Sequence, residues 1–261
     1  MDLHLSGKTA LVLGASSGLG WAMAEALARE GVKVALTGRR AVVLESRIGV
    51  IHAIGGTAIS LVWDLADLAA IESNVARVEA ELGPIDILVN NTGGPPPTTA
   101  AGQPVELWSK QFQAMVLSVI ATTDRVLPGM KERKFGRIIT SASSGVIAPI
   151  PNLGLSNALR STLMGWSKTL AREVAAHGIT VNMVVPGRIA TDRIGILDRA
   201  KADREGKSVE QVQAESLATI PAGRYGKPEE YADLVAFLAS PRAAYITGST
   251  LRVDGGLIPN V

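Results

Sequence analysis

The sequence predicts a single α/β domain over residues 1–261, a doubly wound parallel sheet of about seven strands with helices on both faces. Three features of the chain lead there. Short apolar runs alternate with amphipathic stretches, the pattern of βαβ units whose sheet is buried on both sides. A glycine-rich turn, Gly14-Ala15-Ser16-Ser17-Gly18-Leu19-Gly20, separates the first such strand from the first helix. No linker or shift of composition divides the 261 residues, a length near the upper size for one core.

The elements follow in order. Residues 9–13 read as the first strand, 19–30 as a helix closed by Gly31, and 32–37 as the second strand. A second helix covers 42–54 and ends at Gly55-Gly56, before a third strand at 58–63. The helix at 68–82 stops at Gly83-Pro84, and the fourth strand occupies 85–89. Residues 92–104 form a loop, because the consecutive prolines 95–97 fit neither sheet nor helix. One long helix is predicted over 105–133, a fifth strand at 137–141, a long helix at 155–177 and a sixth strand at 179–185. Residues 188–222 are polar and irregular, with one helical stretch at 209–217, and are expected to cover the substrate or to form a surface loop. A helix starting at Pro228 and a strand near residues 250–253 complete the chain.

Charge and composition narrow the function. Twenty-six Lys and Arg against 24 Asp and Glu leave a net charge of +2, with the cations scattered among acids, so neither nucleic acid nor a membrane surface is expected as partner. No apolar stretch is long enough to span a bilayer, and residues 1–8 lack the layout of a signal peptide, so the expected compartment is cytoplasmic. Cysteine is absent and His4, His52 and His177 are dispersed, which predicts no metal site and no thiolate chemistry. Redox activity would therefore need a bound organic cofactor.

The glycine turn supplies a place for one. Gly14, Gly18 and Gly20, with Ser16, Ser17 and Leu19 between them, leave backbone N–H groups at a helix N-terminus, where a pyrophosphate is held by hydrogen bonds and by the helix dipole. The second strand ends in Thr37-Gly38-Arg39-Arg40. With no carboxylate there to take a ribose 2′-hydroxyl, Arg39 and then Arg40 favour a 2′-phosphate, hence NADP over NAD; the alternative is two solvated arginines.

At this point the chain resembles the short-chain dehydrogenase/reductase family, and within it the bacterial 3-oxoacyl-[acyl-carrier-protein] reductases. The resemblance runs from Leu5 onward through the glycine turn, Asp64, Asn90-Asn91-Thr92-Gly93, Ser143, Ser167-Lys168, Val181-Asn182, Pro186-Gly187, Thr191-Asp192 and Ile246-Thr247-Gly248. It implies a Rossmann-type fold and a homo-oligomer, tetramer or dimer. It also implies Asp64 and Leu65 at the adenine, Asn90, Asn91, Thr92 and Gly93 along the adenosine side, and Pro186, Gly187, Ile189 and Thr191 at the nicotinamide.

The same resemblance exposes an atypical active site. The family uses a tyrosine as proton donor or acceptor, a lysine four residues later, a serine that polarises the substrate oxygen, and an asparagine on the preceding helix. Their columns fall here on Ser156, Arg160, Ser143 and Met115, so only the serine is kept. An aliphatic hydroxyl is far less acidic than a phenol, and arginine stays protonated where lysine can relay a proton. Ser156 and Arg160 still share a helix face. Arg160 can equally clamp the cofactor ribose. Tyr225, Tyr231 and Tyr245 lie in segments expected to pack away from the nicotinamide, although Tyr225 could approach through the variable region. Arg188, directly after Pro186-Gly187, can pair with an anionic substrate group or turn to solvent.

The expected function is thus an NADP-dependent oxidoreductase acting on a carbonyl or alcohol, or on a C=C or imine substrate, through a Ser143/Ser156/Arg160 site. Two alternatives stand beside it. One is a non-redox enzyme on the same scaffold, a lyase or dehalogenase, which the intact glycine turn opposes. The other is a catalytically silent NADP-binding subunit.

Overall fold

The computed structural model describes residues 1–260. Its seven strands are β1 (Thr9–Val12), β2 (Lys33–Gly38), β3 (Ala58–Val62), β4 (Ile87–Asn90), β5 (Gly136–Ser141), β6 (Ile179–Pro186) and β7 (Thr250–Val253). They form one wholly parallel sheet in the order β3-β2-β1-β4-β5-β6-β7. Nine α-helices accompany it among the described residues: α1 (Gly18–Arg29), α2 (Ala41–Ala53), α3 (Ile71–Leu82), α4 (Val105–Phe112), α5 (Ser118–Arg133), α6 (Gly154–Val174), α7 (Asp192–Glu205), α8 (Val209–Ala218) and α9 (Pro228–Ala239).

The strands are apolar on both faces because both are covered. Along β1, Ala10 and Val12 join one core with Met23 and Leu27 of α1, Leu44 of α2 and Val235 of α9. Leu11 and Leu13 join the other with Val75 of α3, Met130 of α5 and Leu170 of α6. Each fully buried leucine or valine contributes roughly 1.5–3 kcal/mol of burial free energy, so the sheet's period of two is fixed on both sides. Three stretches that read as motifs in the sequence tie β6 to β7 and α6. Asn182 Nδ2 donates to Ile246 O at 2.7 Å, Lys168 Nζ to Gly248 O at 2.8 Å, and Val181 N to Thr247 Oγ1 at 3.1 Å.

Two predicted elements differ from those observed. The single helix expected over 105–133 is interrupted by a π turn, Gln113–Leu117, between α4 and α5. One extra residue in a helical turn leaves the apolar pattern almost unchanged, so it leaves little trace in the sequence. The region 188–222 holds α7 as well as the expected α8. Only Asp198 and Ala202 of α7 are buried, so it shows no apolar stripe to read.

The strand order sets the location of the site. After β3 the chain returns across β1 to β4, so the loops leaving β1 and β4 run in opposite directions and open a crevice at the C-terminal ends of the strands. No helix among the described residues is long and apolar enough to cross a membrane.

Candidate active site

A cleft of about 770 Å³ occupies that crevice. It runs from the glycine turn and Arg39 and Arg40, past Asp64, Leu65, Asn91, Thr92 and Gly93, to Ser143, Ser156 and Arg160, and on to Pro186, Gly187, Arg188, Ile189 and Thr191. All the residues named for the site except Asn90 therefore lie along one surface. Asn90 is buried beneath it and donates to Thr123 Oγ1 at 3.3 Å.

The glycine end is shaped for a phosphate-bearing ligand. Gly14 and Gly18 adopt φ of +59° and +57°, which side chains disfavour. A Cβ on Gly20 would fall 2.2 Å from Gly14 O. Asn91 Nδ2 donates to Leu13 O at 3.2 Å and to Gly14 O at 3.1 Å, so this residue fastens the turn from beneath. Ser17, the N-cap of α1, makes no side-chain cap, and the first N–H groups of the helix are left for an anion. Arg40 rather than Arg39 leans over the turn, its Nη2 3.1 Å from Ser17 Oγ and 3.4 Å from Ser16 Oγ. Arg47, which nothing in the sequence marked, stacks on Trp21 at 4.6 Å and reaches Ser16 O. At the end of β2 a Cβ on Gly38 would press on Ser16 Cβ at 3.0 Å, and no carboxylate stands there. This donor set suits a dinucleotide with a 2′-phosphate.

The opposite end is assembled from β5, α6 and the loop between them. Ser143 caps a short 3₁₀ turn, accepting from Gly145 N at 3.2 Å, and is half-buried at the cleft wall. Asn157 fixes that loop to α6: its Nδ2 donates to Ile150 O at 2.9 Å, and its side chain lies where a Cβ on Gly145 would be. The start of α6 is fixed by Gly154 N donating to Thr98 O at 3.0 Å. This anchorage brings Ser156 to the cleft, where its hydroxyl has no protein hydrogen bond among the described residues.

Arg160, one turn on, is 8% exposed and has no carboxylate partner among the described residues. Its Nη1 donates to Ser141 O at 3.2 Å and its Nη2 to Thr92 O at 3.4 Å, joining the ends of β5 and β4. Burial, reinforced by the nearby charge of Arg193, pushes its pKa down to about 10, so it remains a cation at neutral pH. Met115, within the π turn, contributes a buried thioether to the same wall.

The structure gives Arg188 and Tyr231 partners that the sequence did not indicate. Arg188 does line the cleft, but it is ion-paired with the buried Asp198, which also accepts from Tyr225 Oη at 3.1 Å. Asp198 arrives on α7, the helix that the sequence did not disclose, and supplies Arg188 with a carboxylate partner from within the chain. Tyr231 packs away from the cleft as expected, fully buried, but it bonds to Ser141, which lines the cleft. Its hydroxyl donates to Val184 O and accepts from Ser141 Oγ, each at 2.9 Å. Burial drives its pKa upward, and it does not open into the cleft.

A family model described as Enoyl-(Acyl carrier protein) reductase matches residues 14–258. The 3-oxoacyl-[acyl-carrier-protein] reductase FabG of Escherichia coli is 41% identical over 257 residues, covering 98% of this chain and 99% of the relative. Among solved structures, L-sorbose reductase from Gluconobacter frateurii in complex with NADPH and L-sorbose superposes with a TM-score of 0.94 at 32% identity, over 100% of both chains. YwfH, an NADPH-dependent reductase involved in bacilysin biosynthesis, gives 0.92 at 31% identity, over 97% of this chain and 99% of its own.

Proposed function

The chain belongs to the short-chain dehydrogenase/reductase family, and from that premise we propose that it is an NADP-dependent oxidoreductase whose site is Ser143, Ser156 and Arg160. The substrate is a small molecule carrying a carbonyl or, in the reverse direction, an alcohol; a C=C or imine bond fits the same chemistry. One observation carries this reading. A single cleft joins the uncapped N-terminus of α1 to a buried, uncompensated arginine flanked by two serines.

The glycine turn with Ser16 and Ser17 would hold the pyrophosphate, Arg40 and Arg39 the 2′-phosphate, and Asp64 and Leu65 the adenine. Asn91, Thr92 and Gly93 would line the adenosine side, and Pro186, Gly187, Ile189 and Thr191 would hold the nicotinamide half. When bound, the reduced nicotinamide supplies a hydride. Arg160, fixed by Ser141 O and Thr92 O, provides positive charge in a desolvated setting, where negative charge growing on a substrate oxygen is stabilised most. Because it stays protonated at neutral pH, it serves as a fixed hydrogen-bond donor and cannot act as the base. Ser143, whose oxygen already accepts from Gly145 N, is left to donate its own proton to that substrate oxygen. Ser156 stands in the tyrosine column, and its unengaged hydroxyl would orient a water that passes a solvent proton back to Ser143 Oγ. The helices of residues 188–222 cover the substrate end, and the protein is read as a cytoplasmic homo-oligomer, tetramer or dimer.

The test is NADPH oxidation across a panel of aldehydes, ketones, enones and imines, alongside calorimetry with NADP and NAD. Turnover is expected with at least one class, and NADP should bind more tightly than NAD. Arg160→Met should lower kcat by roughly 100-fold or more while NADP binding persists. Tight NADP binding with no turnover across the panel would falsify the enzymatic reading in favour of a silent subunit.

A further inference from the structure

We propose that Arg193 is the residue that selects the substrate, and that it does so by taking an anionic oxygen group, a carboxylate or phosphate, carried on the same molecule as the reacting carbonyl. This rests on the reductase reading above and names the class of substrate that the reading leaves open.

The cations that α7 and its flanks turn toward the cleft are mostly matched. Arg188 pairs with Asp198, Lys201 with Glu215 at 3.3 Å, and Arg204 with Glu205 at 3.3 Å. Arg193 is the exception among them. No carboxylate of the described residues lies within ion-pairing distance, and its one protein hydrogen bond runs from Nη2 to Pro95 O at 2.8 Å. A Cβ on Gly94 would lie 2.8, 3.1 and 3.3 Å from Nη2, Cζ and Nε of Arg193. Similar distances to three guanidinium atoms mean that the group lies against Gly94, on the wall that Pro95, Pro96 and Pro97 stiffen. It is therefore held in place with most of its five N–H donors unused.

The charge of Arg193 disfavours that of Arg160, and burial disfavours both. Two partly desolvated cations facing one cleft without an anion form a site that a ligand must complete. The anionic groups of the cofactor have their own donors at the glycine turn, the N-terminus of α1 and Arg40. The nicotinamide end brings no further negative charge to Ser143, Ser156 and Arg160. The remaining anion must then come with the substrate, and a planar guanidinium is matched to a carboxylate or phosphate edge.

The experiment uses the full chain saturated with NADP. Calorimetry compares pyruvate with methyl pyruvate, acetoacetate with methyl acetoacetate, and dihydroxyacetone phosphate with dihydroxyacetone, in the parent, Arg193→Gln and Arg193→Lys. At least one anion should outbind its neutral counterpart by about tenfold or more in the parent. Arg193→Gln should erase that preference, Arg193→Lys should keep part of it, and NADP affinity and melting temperature should stay at the parent values. Absence of any anion preference in the parent overturns the proposal, as does a preference that survives Arg193→Gln. If Arg193→Gln instead weakens NADP by a comparable factor, the anion is the cofactor's own and the assignment to substrate is wrong. Turnover measured on the same compounds separates the two readings. Anion preference without NADPH oxidation counts against the reductase alone, and oxidation with neutral ketones without anion preference counts against Arg193 alone.

Discussion

Alanine at Gly20 and alanine at Gly49 are the same chemical change with opposite expected outcomes. A Cβ on Gly20 falls 2.2 Å from Gly14 O, 2.7 Å from Asn91 Nδ2 and 2.9 Å from Gly14 C. Unbonded carbon and oxygen keep about 3.3 Å apart, so α1 and the glycine turn must separate by about 1 Å. Neither side yields easily, since Asn91 fastens Gly14 O and Leu13 O. A shift of that size takes the N–H groups out of register with a pyrophosphate. Loss of two charge-assisted hydrogen bonds, roughly 1.5–3 kcal/mol each, corresponds to a fall in NADP affinity of about 100-fold or more. Gly49 lies inside α2 with nothing within 4 Å of the added carbon. There alanine should stabilise by about 0.5–1 kcal/mol, a rise in melting temperature of about 1–4 °C. Thermal unfolding with and without NADP reads both effects. The parent and Gly49→Ala should melt higher with the cofactor, and Gly20→Ala should show little or no shift. A full cofactor shift in Gly20→Ala would refute the steric account of the turn.

Three further outcomes follow from the geometry. Arg40→Ala should weaken NADP binding by roughly 10-fold and leave NAD binding as it was; equal loss for both, by titration, contradicts a 2′-phosphate role. Tyr231→Phe strips Val184 O and Ser141 Oγ of a partner and should cost about 1–3 kcal/mol of stability, measured by urea unfolding, with turnover retained; a collapse of kcat would put the phenol in the reaction. The Arg224 guanidinium and the Lys227 backbone N–H hold the Glu230 carboxyl down to about 2. Because the folded value lies below the ordinary 4.5, this contribution to stability is complete above pH 4.5 and disappears as the pH falls through about 2. Glu230→Gln should therefore melt below the parent at neutral pH, with the gap closing in acid; a gap independent of pH excludes the ion pair as its source.

What the sequence disclosed and what it hid divide along a physical line. Strands β1 to β7 were legible because burial on both faces makes each an apolar run between turn residues. The helix starting at Pro228 was legible from the proline at its first turn. Helix α7 was not, because only two of its residues face a core. Its start and stop signals, Thr191-Asp192 and Gly206, were nevertheless present in the chain. That omission hid the partner of Arg188, since Asp198 lies ten residues away and meets it only across a helix. Ser143, Ser156 and Arg160 could be placed at one cleft by spacing and resemblance. The approach of Tyr231 from α9 to Ser141 could not, because 90 residues separate them and no local pattern encodes the contact. Arg193 carried no signal either, since an unmatched charge is visible only once every possible partner has a position.

All seven strands point the same way, so each delivers its last residue to the same rim of the sheet. Residues on that rim touch ligands and one another far more than they touch the two cores. Exchanges at rim positions such as Ser156, Arg160 and Met115, which line the cleft, would therefore leave Leu11, Val75 and Val235 undisturbed. Descent can preserve such a scaffold while its reactive groups drift, and kinship measured over the whole chain then says less about the reaction than a few side chains at the strand ends do.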